Sequence, residues 1–183
     1  MGIGADAVVV TAVDDVAVGS EPPVLPQVGR VDSAHVIVLE GINDIGNLTR
    51  TQSATAAQHA ELVRRLISAY QQMIQRAHVH GIKAIGGTIT PFTGSEFYHP
   101  DAANESDRTQ VNAWIRGAGH FDAVIDFDKT IADPAHPERM LATYDSGDHL
   151  HPSAAGYRAM ADAIPLTLFQ PLSSLQKGPQ SGP

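Results

Sequence analysis

No cysteine occurs anywhere in the chain. Disulfides, thiol nucleophiles and thiolate metal sites are thereby excluded, while the redox compartment stays open. Long hydrophobic runs are missing too. No stretch approaches the roughly 20 apolar residues that a membrane-spanning helix needs, so no transmembrane segment is expected. Positive charge is scarce: 12 Lys and Arg stand against 20 Asp and Glu, a formal net charge of −8. With no basic cluster beyond Arg64 and Arg65, nucleic acid is not an expected partner. The first residues carry no basic group before their apolar run and soon meet Asp14 and Asp15, which is not a signal-peptide pattern. Localisation is left open by that reading.

What is present suits one domain. The 183 residues are 43% hydrophobic and 17% charged, enough to bury a core. The Val-rich opening stretch has room for one or two short strands. Pro22, Pro23 and Pro26 then make a loop. His35 to Leu39 is nearly all apolar and β-branched, the pattern of a strand covered on both faces. Gly41 to Asn47 is expected as a loop at its end. Residues 55 to 80 repeat apolar side chains at three- and four-residue steps and predict the longest helix, stopped by Gly81. A second strand runs from Ile82 into a Gly-rich loop. A helix over 106 to 117 follows, with Ser106 as its cap and Trp114 packing it on the sheet. A strand spans Phe121 to Phe127, a loop 128 to 140, and a last helix starts near Pro152 or Ser153. Strand and helix alternate, which predicts an α/β fold, a three-layer α/β/α arrangement around a parallel sheet. In such sheets sites form at the C-terminal strand ends. Thr88 and Thr90 leave a strand at that edge, and Glu40 is a candidate buried carboxylate there.

The chemistry-bearing residues gather in two places. In Tyr144–Tyr157, Asp148 and His151 lie three apart, close enough for the carboxylate to accept the imidazole Nδ1–H and leave Nε2 to take a proton. Taken alone, the same spacing also suits a polar loop with a helix-capping Asp. His149 and His151, with Asp145 near, would be the start of a metal site, but there is no H-E-x-x-H and no obvious third ligand. In the other place, Asn43 and Asp44 follow a strand end. A carboxamide there can aim an N–H at a developing oxyanion, although Asn-Asp is also common turn chemistry.

Together, "VIVLEGINDIGN" and, about a hundred residues later, "GDHLHPSAAGYRAMADAI" resemble the SGNH (GDSL-type) hydrolase and esterase family, over about residues 35 to 169. The resemblance implies a flavodoxin-like topology and hydrolysis of carboxylic esters by acyl transfer through a serine, without a cofactor or metal. It implies a small-molecule or carbohydrate ester as substrate, with many relatives secreted. It makes His151 the general base, Asp148 its orienting partner and Asn43 an oxyanion donor. His149 becomes a bystander. Oligomeric state is not addressed by it.

The family's first block, Gly-Asp-Ser, and the second, with its oxyanion Gly, find no match in this reading of the sequence. Ser20 follows an apolar run, but the interval from it to Asn43 is shorter than the roughly 30 residues of a strand–helix–strand passage. Ser33 lies at the wrong end of its strand, and Ser146 and Ser153 read as loop and cap residues. The expectation is therefore a sheet incomplete at its N-terminus. Residues 1–33 would be an atypical segment, 34–169 the hydrolase-like domain and 170–183 a frayed tail. On that expectation the chain is a truncated esterase with compromised activity, or a non-catalytic domain that keeps the fold. Residues 94 to 105 and 128 to 143, with Tyr98, His99, His136 and Met140, are expected to shape the substrate pocket.

Overall fold

A computed structural model describes residues 8–11 and 35–169. The main sheet has four parallel strands in chain order: β1 (Val8–Thr11), β2 (His35–Leu39), β3 (Lys83–Gly87) and β4 (Ala123–Ile125). Val9 sits beside Ile37, and Ile37 beside Ile85. The expected strand in the Val-rich opening stretch is thus present, and it covers the edge of β2 that an incomplete sheet would leave open. The frayed tail from residue 170 lies outside the described residues.

Alternation along the strands sends side chains to two cores. Val38 and Ala84 meet Val63, Leu66 and Tyr70 of α2 (Ala56–Val79) and Val111 and Ile115 of α3 (Ala102–Ile115). On the other face, Ile37, Ile85 and Ile125 meet Phe127 and Ile131 of α4 (Phe127–Ile131) and Met160 of α5 (Ala154–Asp162). This is the three-layer α/β/α arrangement. The α2 helix begins with a capping box, in which Thr55 accepts from the Gln58 N–H while the Gln58 side chain accepts from the Thr55 N–H. A single turn of 3₁₀ helix, Leu166–Phe169, follows α5.

Three segments differ from the sequence expectation. Ile42–Thr49 is a helix, α1, and not a loop. Gly41 enters it at φ +102°, a left-handed conformation that other residues adopt only with strain. The fully buried Ile45 holds α1 on the core, and its carbonyl accepts from Asn104 Nδ2 at 2.8 Å. Next, α3 starts four residues before Ser106, because Asp101 caps it by accepting from the Ala103 and Asn104 N–H groups. Last, the expected loop 128 to 140 contains α4 and an antiparallel pair, β5 (Ala132–Asp133) and β6 (His136–Met140).

The loop leaving β3 is fixed from beneath. Asn112, fully buried, accepts from the Ile89 N–H at 2.7 Å and donates to the Ile89 carbonyl at 2.8 Å. Arg108 also donates to that carbonyl, at 2.9 Å. Burial opposes the Arg108 charge, but Glu105 and Asp128 on either side raise its affinity for the proton. Thr88, fully buried, donates to Asp126 and accepts from the Asp128 N–H, tying β3 to the end of β4. Trp114 is half-buried against the first core, as expected, and stacks on His120 with ring centroids 4.3 Å apart.

Candidate active site

The loop before α5 is closed on itself by its backbone. The Ser153 N–H donates to the Tyr144 carbonyl at 2.7 Å, and the Ser146 N–H to the His151 carbonyl at 3.1 Å. Ser153 is the N-cap of α5 and accepts from the Gly156 N–H. A side chain at Gly156 would have its Cβ 2.5 Å from the Tyr144 carbonyl oxygen, so this glycine lets the helix approach the loop closely. Pro152 immediately precedes the cap. The loop's ends are therefore fixed by its own backbone bonds and the cap of α5.

Inside it, Asp148 Oδ2 lies 2.6 Å from His151 Nδ1. Asp148 Oδ1 accepts from the Leu150 and His151 N–H groups and from the Ser146 hydroxyl. Desolvation works to raise the Asp148 carboxyl, but the His151 ring, the two N–H groups and the Ser146 hydroxyl outweigh it and hold the carboxyl far below the usual carboxylate range. An ionised Asp148 fixes the His151 tautomer with the proton on Nδ1. Nε2 is then the proton acceptor, and among the described residues no hydrogen bond reaches it. The side chains of His151 and Asp148 are 64% and 50% exposed, so the pair stands at an open rim.

His149 does not join the pair. Its Nδ1 lies 2.5 Å from Asp145 Oδ2, at φ +56°, and its ring lies over Gly94. No group of three or more metal-ligating side chains gathers among the described residues.

His151 and Asn43 line one cleft of about 280 Å³. Its apolar wall includes Leu39, Ile42, Ile89, Leu150 and Met160, with Thr90 and Tyr157 as polar neighbours. Glu40, half-buried, lines it too. Asn43 sits in the first turn of α1, and its Oδ1 accepts from the Tyr98 hydroxyl at 2.8 Å. Asn43, after β2, and His151, before α5, thus share one cleft, with Asp148 held against His151. Thr90 lines the cleft, whereas Thr88 ties the ends of β3 and β4 together. Sequence reasoning placed Tyr98 only among pocket-shaping residues and missed its bond to Asn43. Gly46, three positions after Asn43 in α1, was the available signal: its missing side chain leaves the space that the Tyr98 ring fills. A second cleft, about 340 Å³, lies between β2 and α2 against Val36, Val38, Met73 and Ala77, and contains neither His151 nor Asn43.

Comparison with known proteins agrees with this fold. Solved structures with the same fold include a candidate acylhydrolase from Bacteroides fragilis, with 19% identity and a TM-score of 0.55 over 75% of this chain and 61% of that one. A GDSL-like lipase from Bacteroides thetaiotaomicron matches with 18% identity and a TM-score of 0.52 over 72% and 60%. A candidate lipolytic protein of the G-D-S-L family from Desulfitobacterium hafniense gives 17% identity and 0.52 over 72% and 63%. The chain thus spans about three-fifths of the length of these structures. No curated protein matches it in sequence. The model of the GDSL-like Lipase/Acylhydrolase family matches residues 2–159. That match corrects the expectation that the segment before His35 is foreign to the family and that the family's N-terminal part is missing: the pattern runs through it from residue 2, and β1 pairs in register with β2. On this match the chain belongs to the GDSL-like Lipase/Acylhydrolase family.

Proposed function

We propose that the protein hydrolyses carboxylic esters of small molecules, with His151 as general base, Asp148 as its orienting partner and Asn43 as an oxyanion donor. The observation that carries this reading is the Asp148–His151 pair, 2.6 Å apart, on the rim of the cleft that Asn43 also lines. His151 Nε2 takes the proton from an attacking hydroxyl as its oxygen bonds to the ester carbonyl carbon. The carbonyl oxygen becomes an oxyanion, stabilised by the Asn43 Nδ2–H. As the carbon–oxygen bond to the alcohol breaks, His151 returns the proton to the leaving oxygen. When the hydroxyl is a serine's, water repeats the two steps on the acyl-enzyme. When it is water's, the acid is released directly. Ser146 and Ser153 do not fill the serine role in the described geometry, because their hydroxyls donate to Asp148 and to the Thr143 carbonyl.

The apolar wall suits an uncharged acyl chain, and the net charge of −8 disfavours strongly anionic substrates. The test is hydrolysis of p-nitrophenyl esters by the wild type and by His151→Ala. A loss of about 100-fold or more is expected, in the range for a general base. A fluorophosphonate probe with peptide mapping then identifies the hydroxyl. Labelling of Ser20 that depends on His151 assigns a serine, and ester turnover without labelling assigns water. A folded protein whose turnover does not exceed that of His151→Ala would leave a non-catalytic domain instead.

A further inference from the structure

We propose that Tyr98 is a positioning residue for the oxyanion donor, its hydroxyl fixing the Asn43 carboxamide so that Nδ2, and not Oδ1, faces the cleft. The proposal rests on the reading of Asn43 as oxyanion donor given above. A free Asn side chain exchanges its oxygen and nitrogen by a half-turn about its last bond. The two orientations differ completely in what they present to a carbonyl oxygen: one offers a donor, the other a lone pair that repels it. An oxyanion donor therefore needs a second group that tells the orientations apart.

Tyr98 biases that choice: a phenol hydroxyl can donate or accept, and here it is the donor to Oδ1. Its ring is 4% exposed and its hydroxyl donates to Asn43 Oδ1 at 2.8 Å. The amide is planar, so a pinned Oδ1 directs Nδ2 away from the ring. The ring itself cannot drift. It packs edge-on to Phe97 and Phe92, with centroids 4.8 and 6.2 Å away, and its face covers Gly46 of α1, where a Cβ would come within 2.6 Å of ring carbons. The Ser95 side chain accepts from the Phe97 and Tyr98 N–H groups, holding the turn that presents the ring. Arg50, at the end of α1, lies over the outer neighbour Phe97 at 3.9 Å from its centroid. Asn43 and Tyr98 are 55 residues apart, so the orientation of the donor is set by docking of the 94–99 turn onto α1. Tyr98 touches no reacting atom; it acts through Asn43.

The experiment compares wild type, Tyr98→Phe, Asn43→Ala and the double variant in ester hydrolysis. Tyr98→Phe keeps the ring and removes only the hydroxyl. It is expected to lower kcat about tenfold, with KM changed less than twofold, because the ground-state carbonyl needs the donor far less than the oxyanion does. In the Asn43→Ala background the same change is expected to do nothing further. Wild-type kcat in Tyr98→Phe, or losses that multiply in the double variant, would overturn the proposal. Nuclear magnetic resonance of the Asn43 side-chain amide reads the same contact without turnover: its two N–H signals are expected to move and broaden in Tyr98→Phe, and unchanged signals would overturn the proposal equally. If the wild type hydrolyses no ester, the proposed function fails, and the amide signals still decide whether Tyr98 orients Asn43.

Discussion

Gly46→Ala tests the packing on which the site depends. A Cβ built at Gly46 would lie 2.5 and 2.6 Å from Tyr98 Cδ1 and Cδ2, where carbon atoms in contact normally stand about 3.5–4.0 Å apart. The ring must therefore retreat by roughly 1 Å to reach ordinary contact. It has no room, since Phe92 and Phe97 flank it and it is 4% exposed. Overpacking of this kind costs about 1–3 kcal/mol, and the enclosed ring argues for the upper end. Gly46 lies inside α1, so alanine also returns about 1 kcal/mol of helix propensity. The net expectation is a loss of about 2 kcal/mol. With a urea slope of about 2 kcal/mol/M for a domain of this size, the unfolding midpoint falls by about 1 M. The control is the same substitution in a Tyr98→Leu background, where the ring is gone and only the propensity remains, so Gly46→Ala should then be neutral or stabilising. An unchanged midpoint in the Tyr98 protein would refute the reasoning. So would an equal loss in the Tyr98→Leu background, which would place the strain elsewhere.

Two further perturbations follow from one buried and one half-buried polar group near the same edge. Asn112→Ala removes the acceptor of the Ile89 N–H, while the Ile89 carbonyl keeps Arg108; one orphaned buried donor predicts a loss of about 1–3 kcal/mol in urea unfolding, and a midpoint within error of wild type would contradict it. Asp126 is held at about 2: burial alone would raise it, but Arg116 on both oxygens, with the Lys129 N–H and Thr88, lowers it. A depressed carboxyl stabilises the fold above its unfolded value near 4 and loses that contribution as pH falls toward 2. Asp126→Asn should thus cost about 1 kcal/mol at pH 6, discounted because the pair is partly solvated. That difference should vanish between pH 4 and 2 in unfolding curves, and a difference that persists at pH 2 would show that the charge is not its source.

The parts of the molecule visible in the sequence are those whose causes are local. The α2 helix lies within one residue of the 55–80 expectation at either end, because its apolar repeat and its stop at Gly81 sit within or next to the segment itself. Asp148 and His151 were paired from a three-residue spacing, and their bond is indeed internal to one loop closed by its own backbone. What escaped was decided at a distance. The Gly-Ile-Asn-Asp-Ile-Gly-Asn run has turn composition, yet it is helical because Ile45 is buried and its carbonyl is met by Asn104, 59 residues away. The start of α3 escaped for a related reason: Asp101 and Asn104 form a reciprocal cap in a stretch whose composition suggested irregular chain. The N-terminal segment shows neither of two short blocks and too short an interval from Ser20 to Asn43, whereas the family pattern is spread across it and β1 is specified by pairing with β2. The same division runs through the site. The proposed base, His151 with Asp148, comes from a loop that carries its own restraints. The proposed oxyanion donor, Asn43, requires α1, the 94–99 turn and the space at Gly46 to be right together. Substitutions far from the cleft that loosen α1 against that turn should therefore lower kcat through Asn43 while leaving the Asp148–His151 pair intact.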